Sequence, residues 1–227
     1  MVVRMMTRLV ALVLALSLTA CSTVTINQLS CKEITDSSLR AQIGEKFTPD
    51  EFLAWVDTEY PVTRADVGVV ATDTGDEVSF SWKVNRFEYT ANVRAGQLES
   101  AALRYVDSMK PTAAKIIACL GEPELYSARF GLVSEGGPQL DLDLLFPTQG
   151  VFSWGTVYLT FDTRQPPTIT QDFPITSLIF MKPGSADRLT RFLCWNINSE
   201  ACQQIKSSYK PWSDNWKTIE IGPQLQQ

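Results

Sequence analysis

The sequence predicts an α+β fold: antiparallel sheets with short helices packed on one face. Three observations carry this. The segments VGVVAT, EVSFSWKV, RFEYTANV and QLESAALRYV are rich in β-branched and aromatic residues and are separated by the turn formers DTGD, N and AGQ. A second succession follows as ELYSARFGLV, QLDLDLLF, VFSWGTVYLTF and TSLIFMK. Each run of strands is preceded by a short helix pattern with its own start signal.

The chain opens with MVVRMMTRLVALVLALSLTAC. Arg4 and Arg8 make a positive start, and Leu9 to Leu18 is an uncharged apolar run. Ten residues suit a signal core and fall short of the ~20 needed to cross a bilayer. Leu18-Thr19-Ala20-Cys21 resembles the lipobox of bacterial lipoproteins: an aliphatic residue, a small one, Ala or Gly, then the lipid-bearing cysteine. The resemblance implies a signal peptide over 1–20, cleavage before Cys21 and a diacylglycerol on its sulfur. It also implies anchoring to the cell membrane or outer membrane, facing outside the cytoplasm. Ser22 would permit outer-membrane sorting in a cell with two membranes. The alternative is an ordinary secretory signal that happens to end near a cysteine.

Removing residues 1–20 from the 227 leaves 207, enough for one sizeable domain or two small ones. The 20 basic side chains lose Arg4 and Arg8, leaving 18 against 25 acids and a net charge of −7. So acidic a surface argues against a nucleic-acid partner and against electrostatic docking on anionic lipid. Membrane contact would then come through the N-terminal lipid.

With Cys21 lipidated, Cys31, Cys119, Cys194 and Cys202 remain, and three pairings are open. Closeness in sequence favours Cys194–Cys202, which leaves Cys31 with Cys119. A free, buried Cys119 in the helix pattern KIIACL is the competing reading.

Residues 21–46 are expected to form a polar tether, with a short helix over 37–43. In FTPDEFLAWVDTEYP, Thr48 is the N-cap, Pro49 suits the first helical position and Glu51 completes a capping box. Phe52, Leu53 and Val56 form the apolar stripe, and Pro61 stops the helix. This helix and the first four strands make a unit over 47–110. A second unit, 111–183, starts at MKPTAAKIIACLGEPELY, where Pro111 opens a helix and Gly121 ends it. Pro49 and Pro111 stand 62 positions apart, as do Glu77 and Gln139. Two readings stay open: a tandem duplication of helix plus four strands, or one continuous α+β domain. Residues 184–227 predict a helical hairpin capped at Ser185 and Ser199, then a strand over 217–221.

The short helix followed by Leu120-Gly121-x-Pro123 and strands resembles outer-membrane-assembly lipoproteins of the SmpA/BamE type. It also resembles the β-lactamase-inhibitor protein, which carries two such units in tandem. The resemblance implies a non-enzymatic protein that binds other proteins.

The chain contains no histidine, which removes Ser-His-Asp and Cys-His machinery and any His-bearing zinc site. Asp73-Thr74-Gly75 copies the aspartic-protease triplet once, where two carboxylates must share a proton; a hairpin turn is the simpler reading. Ser207-x-x-Lys210, Ser213-Asp214-Asn215 and Lys217-Thr218 echo penicillin-binding signatures, but they crowd into 13 residues and read as a polar turn. Asp141 and Asp143 alternate with Leu140, Leu142 and Leu144, predicting a solvated acidic face over a leucine core. A carboxylate pair for hydrolysis is the alternative. Asp73, Asp76 and Glu77 lack the spacing of a calcium loop. Tyr209, Trp212 and Trp216 form a candidate aromatic binding patch if exposed, and close a core if not. No catalytic residue, metal ligand or cofactor site is expected. The functional expectation is a lipid-anchored envelope module that binds another envelope protein. A carbohydrate or small-ligand binder and a carboxylate hydrolase are the alternatives.

Overall fold

The computed structural model describes residues 30–106, 110–133, 137–159, 168–184, 186, 193–194, 198–213, 216, 219 and 221–223. The expected signal peptide, Cys21 and Ser185 lie outside them. So do Asp214, Asn215, Lys217 and Thr218.

Two short helices come first, α1 (Cys31–Thr35) and α2 (Ser37–Ala41). Ser30 and Glu33 cap α1 reciprocally, and the Asp36 carboxylate accepts from the Leu39 amide to start α2. Ile34 and Leu39 are fully buried. The tether expected over 21–46 is therefore folded from Ser30 onward. Two isolated apolar residues in polar chain sufficed, because Cys31 is bonded to Cys119.

Helix α3 (Pro49–Glu59) begins as expected: Thr48 accepts from the Glu51 amide, and Glu51 reaches back to Thr48. A four-stranded meander follows: β1 (Gly68–Ala71), β2 (Glu77–Val84), β3 (Phe87–Arg94) and β4 (Gln97–Tyr105). After α4 (Ala113–Leu120) comes a second: β5 (Leu125–Val133), β6 (Gly137–Phe146), β7 (Val151–Tyr158) and β8 (Ser177–Met181). The meanders join through β4 and β8, so the strand order is β1-β2-β3-β4-β8-β7-β6-β5 in one sheet. Each of these neighbouring pairs is antiparallel. The fourth strands of the two meanders thus meet at the middle of one sheet.

Helix α5 (Ser199–Ser208) starts one residue earlier than expected: Asn198, rather than Ser199, is the cap, accepting from the Ala201 amide. Cys194–Cys202 staples the segment before α5 to its first turn. Short strands β9 (Lys210–Pro211) and β10 (Gly222–Pro223) both line the free side of β5, β9 antiparallel and β10 parallel. Of the strand expected over 217–221, residues 217, 218 and 220 lie outside the described residues; Ile219 and Ile221 are not in a strand, and β10 begins just beyond.

One sheet face carries the main core. Phe52 of α3 meets Phe80 at 4.7 Å between ring centroids, and Trp82 stacks on Tyr89 at 5.1 Å. Leu103, Ile116, Leu142, Leu144 and Phe180 continue this core across both meanders. The end of α5 lies against the opposite face, where Leu145, Phe152 and Met181 form a smaller cluster packed by Tyr209. No helix among the described residues is long and apolar enough to cross a membrane.

Candidate interaction surface

Alternation along the strands sorts side chains onto two faces. On the face opposite the main core, register aligns Lys83, Glu88, Arg104, Ser177, Trp154 and Asp143 in one row across β2, β3, β4, β8, β7 and β6. The Lys83 ammonium lies 2.5 Å from Glu88, and Arg104 approaches the other Glu88 oxygen at 3.7 Å. The Lys83 hydrogen bond above all, with the charges of Lys83 and Arg104, holds the Glu88 carboxyl below its ordinary range against the opposing effect of burial. A neighbouring row is small and polar: Ser79 donates to Asn92 at 2.7 Å, and Asn92 donates to Ser100 at 3.2 Å. Trp154 is 39 % exposed in the middle of the sheet, and Tyr158 on the same strand is 65 % exposed. Sequence reading missed Trp154. SWGTVY marks a strand, but nothing local says which of its faces stays open.

The other end of this face is closed. Asp141 and Asp143 are both buried, as are the alternating leucines. The solvated acidic face expected from alternation is therefore corrected: Arg129 and Tyr209 close over Asp143, Gln139 and Thr156 hold Asp141, and both carboxylates are buried opposite the buried leucines. The Arg129 guanidinium contacts Asp143 Oδ2 at 2.6 Å, and the Tyr209 phenol donates to the same oxygen at 3.0 Å. Arg129 also donates to Ser127, which donates to Ser208 on α5. Asp141 accepts from Thr156 at 2.6 Å and from Gln139 at 3.0 Å. Burial pushes the Asp143 carboxyl up, more than Arg129 and Tyr209 bring it down. Burial alone would lower the Arg129 guanidinium, and the charge and hydrogen bond of Asp143, with Tyr209 and Asp141, together more than reverse this. Burial, with the Asp143 charge beside it, raises the Tyr209 phenol far above its ordinary range. The two carboxylates thus do not converge in an open cleft.

The aromatic trio does not form one exposed patch. Chain crossing at β9 carries it round the edge of β5, so Tyr209 packs on one face and Trp212 on the other. Trp212 meets Tyr126 at 5.9 Å and Trp216 at 5.1 Å, both edge-on, and both tryptophans are partly buried against the main core. Asp73-Thr74-Gly75 is the exposed turn between β1 and β2, closed by the Gly75 amide on the Thr72 carbonyl at 2.9 Å. Ser207 donates within α5 to the Gln204 carbonyl, and Lys210 lies in β9. Among the described residues no group of three His, Cys, Asp or Glu side chains is placed to hold a metal ion.

A cleft of about 710 Å³ opens where β1 ends short of β2, lined by Pro61, Asp66, Gly68, Ser81, Trp82 and Lys83 among others. Comparison of the chain with protein-family models, curated proteins and solved structures finds no match to any of them.

Proposed function

We propose that the chain is an exported, lipid-anchored protein of the cell envelope that binds another envelope protein across the open face of its sheet, without catalysis. The observation that carries the binding face is Trp154, exposed mid-sheet in line with Arg104, Glu88 and Lys83. A half-exposed tryptophan among charged neighbours is the residue type that anchors protein interfaces. Two disulfides suit an oxidising compartment, as the lipobox resemblance requires. The Leu120-Gly121-x-Pro123 resemblance points the same way: Gly121 ends α4 at φ 79°, a left-handed angle that glycine tolerates.

Crosslinking in intact cells tests the face. A partner captured by the native chain and by Lys46→Ala, and lost with Trp154→Ala/Arg104→Glu, supports the reading; capture unaffected by the double variant defeats it. Fractionation tests the anchor. Cys21→Ser should move the protein to the soluble fraction, and its retention on membranes would refute lipid attachment.

A small-ligand reading has one observation in its favour. An apolar cavity of about 490 Å³ is lined by Ile169, Trp216, Ile219 and Ile221. Quenching of tryptophan fluorescence by apolar ligands, abolished by Trp216→Phe, would favour it over the sheet face.

A further inference from the structure

The two apolar clusters on the sheet are covered in different ways. Helices α1 to α4 each bury side chains of their own in the main core, among them Ile34, Leu39, Phe52 and Ile116. Helix α5 buries none of its ten residues. The smaller cluster of Leu145, Phe152 and Met181 is packed from the C-terminal segment by Leu193 and Tyr209, both only partly buried. Leu193 adjoins Cys194, which is bridged to Cys202 in α5, and Tyr209 is the cap that ends α5. The helix thus links two footholds without burying a side chain itself.

Opposing effects hold this cover in place. Removing Leu145, Phe152 and Met181 from water favours closure. Closure also seals the Arg129–Asp143 pair, with the Asp143 side chain 2 % exposed, and the hydration both charges lose opposes it. Two hydrogen bonds moor the end of α5, Tyr209 to Asp143 and Ser127 to Ser208, both at 3.0 Å. Segments with so few buried apolar contacts open well below the cost of global unfolding. What lies beneath continues the Trp154 face. Phe152 precedes Trp154 by two residues on β7, so both point the same way. Ile179 and Leu145 flank Phe152 as Ser177 and Asp143 flank Trp154. The Tyr209 phenol therefore ends on the strand neighbour of Trp154.

We propose that α5 and Tyr209 form a strap that lifts from the sheet, and that the strip it bares takes up an apolar segment of the envelope partner bound at Trp154. The second half rests on the Trp154 reading. Tyr209 shows what the strip accepts, an apolar ring on Leu145, Phe152 and Met181 with a donor for Asp143. The incoming segment supplies the same pair, an apolar side chain and a hydrogen-bond donor, because Asp143 loses the Tyr209 bond as the strap leaves, and a buried carboxylate short of donors is costly. The partner and the strap thus compete for one strip, and the closed strap restricts binding to the part of the face around Trp154.

The test uses the full chain. Met181 lies under the strap, and Val151, fully buried, lies on the core side of the sheet. A maleimide should label Met181→Cys about 100-fold faster than Val151→Cys, which waits for global unfolding. Adding Tyr209→Ala should speed the first and leave the second unchanged. The native chain gives the same comparison by hydrogen exchange. The Cys202 and Ile116 amides hold equivalent places in α5 and α4, each bonding the carbonyl of the cap four residues back, and Cys202 should exchange about 100-fold sooner. Equal labelling and equal exchange overturn the strap. For the partner, Ser127→Cys/Ser208→Cys replaces two hydroxyls 3.0 Å apart, close enough for a disulfide that locks the strap down. The oxidised lock should cut capture of the partner about tenfold. A photoreactive maleimide on Met181→Cys should capture the same partner in isolated envelopes. Capture that survives the lock, or capture of a second copy of this chain from Met181→Cys, overturns the competition. Failure of the Trp154 reading shows differently, as no capture by the native chain, and labelling and exchange then still decide the strap.

Discussion

The Arg129 guanidinium lies 2.6 Å from the Asp143 carboxylate beneath the C-terminal helix, with the Tyr209 phenol on the same oxygen and Asp143 Oδ1 without a partner among the described residues. A buried pair of this kind is weak evidence for net stabilisation, because desolvating both charges offsets their attraction. Breaking it is another matter. Asp143→Ala strands Arg129 under α5 and should cost about 3–5 kcal/mol. Arg129→Met/Asp143→Leu, which removes both charges, should recover most of that loss. Urea unfolding of the two variants decides between a costly single charge and an indispensable pair.

The same carboxyl sets a pH dependence. Burial raises Asp143 above its ordinary value of 3.8, so between that value and the raised one the folded state holds more proton than the unfolded chain. Its contribution is therefore full below 3.8 and is lost as pH rises through the raised value. Glu33 and Glu51 act oppositely: hydrogen bonds from Ser30 and Thr48 lower them, so their contributions are present above the ordinary value of 4.5 and fade as pH falls. Asp143→Asn should remove the loss on the rising limb and leave the acid-side loss intact. Denaturation midpoints measured across the acid range read both limbs.

The disulfides should differ in weight. Cys31–Cys119 closes 88 residues of sequence and Cys194–Cys202 closes eight. Chain-entropy reasoning gives about 4.5 kcal/mol for the long loop and roughly 2.5 kcal/mol for the short one. Cys31→Ser/Cys119→Ser should therefore lower the melting temperature more than Cys194→Ser/Cys202→Ser does. The long bridge also ties α1 to α4, so its loss should expose Ile34 and speed proteolysis ahead of Thr48.

What could be read in advance was local. Thr48 and Glu51 are three residues apart, and their reciprocal bonds follow from that spacing alone. The strand runs were likewise visible, because period-two alternation is written into adjacent residues. The pairing of β4 with β8 was not, since it brings Leu103 opposite Leu178 across the whole second meander and a helix. Nor was the burial of Asp141 and Asp143. Their alternation with leucine reads as polar-out, and the phenol that closes over Asp143 comes from Tyr209, dozens of residues later. Ile34 and Leu39 were hidden for a similar reason: two apolar residues make no period, and the partner that fixes them is Cys119. Trp154 is the converse case, an aromatic in a run of buried neighbours that emerges on the open face.

A last prediction separates two reasons for glycine. Gly96 takes φ 73° in the turn before β4, with no neighbouring atom near an added Cβ. Gly96→Ala should cost only the left-handed conformation, about 1 kcal/mol. Gly155 needs no such angle. Its place in β7 lies against the 173–176 segment, where the Thr176 amide donates to the Trp154 carbonyl at 2.8 Å. A Cβ at 155 would overlap the Pro174 carbonyl oxygen and stand 3.1 Å from the Phe173 ring. Neither can retreat freely: Phe173 is buried, its carbonyl accepts the Ala113 amide at the start of α4, and the Ile175 amide is held by the Pro111 carbonyl. Gly155→Ala should therefore cost clearly more than Gly96→Ala, reaching or exceeding the range of about 1–3 kcal/mol for an overpacked core. Thermal melts of the two variants compare them directly. Hydrogen exchange should show the excess loss at the Ala113 and Thr176 amides, because displacing the 173–176 segment breaks both of their bonds.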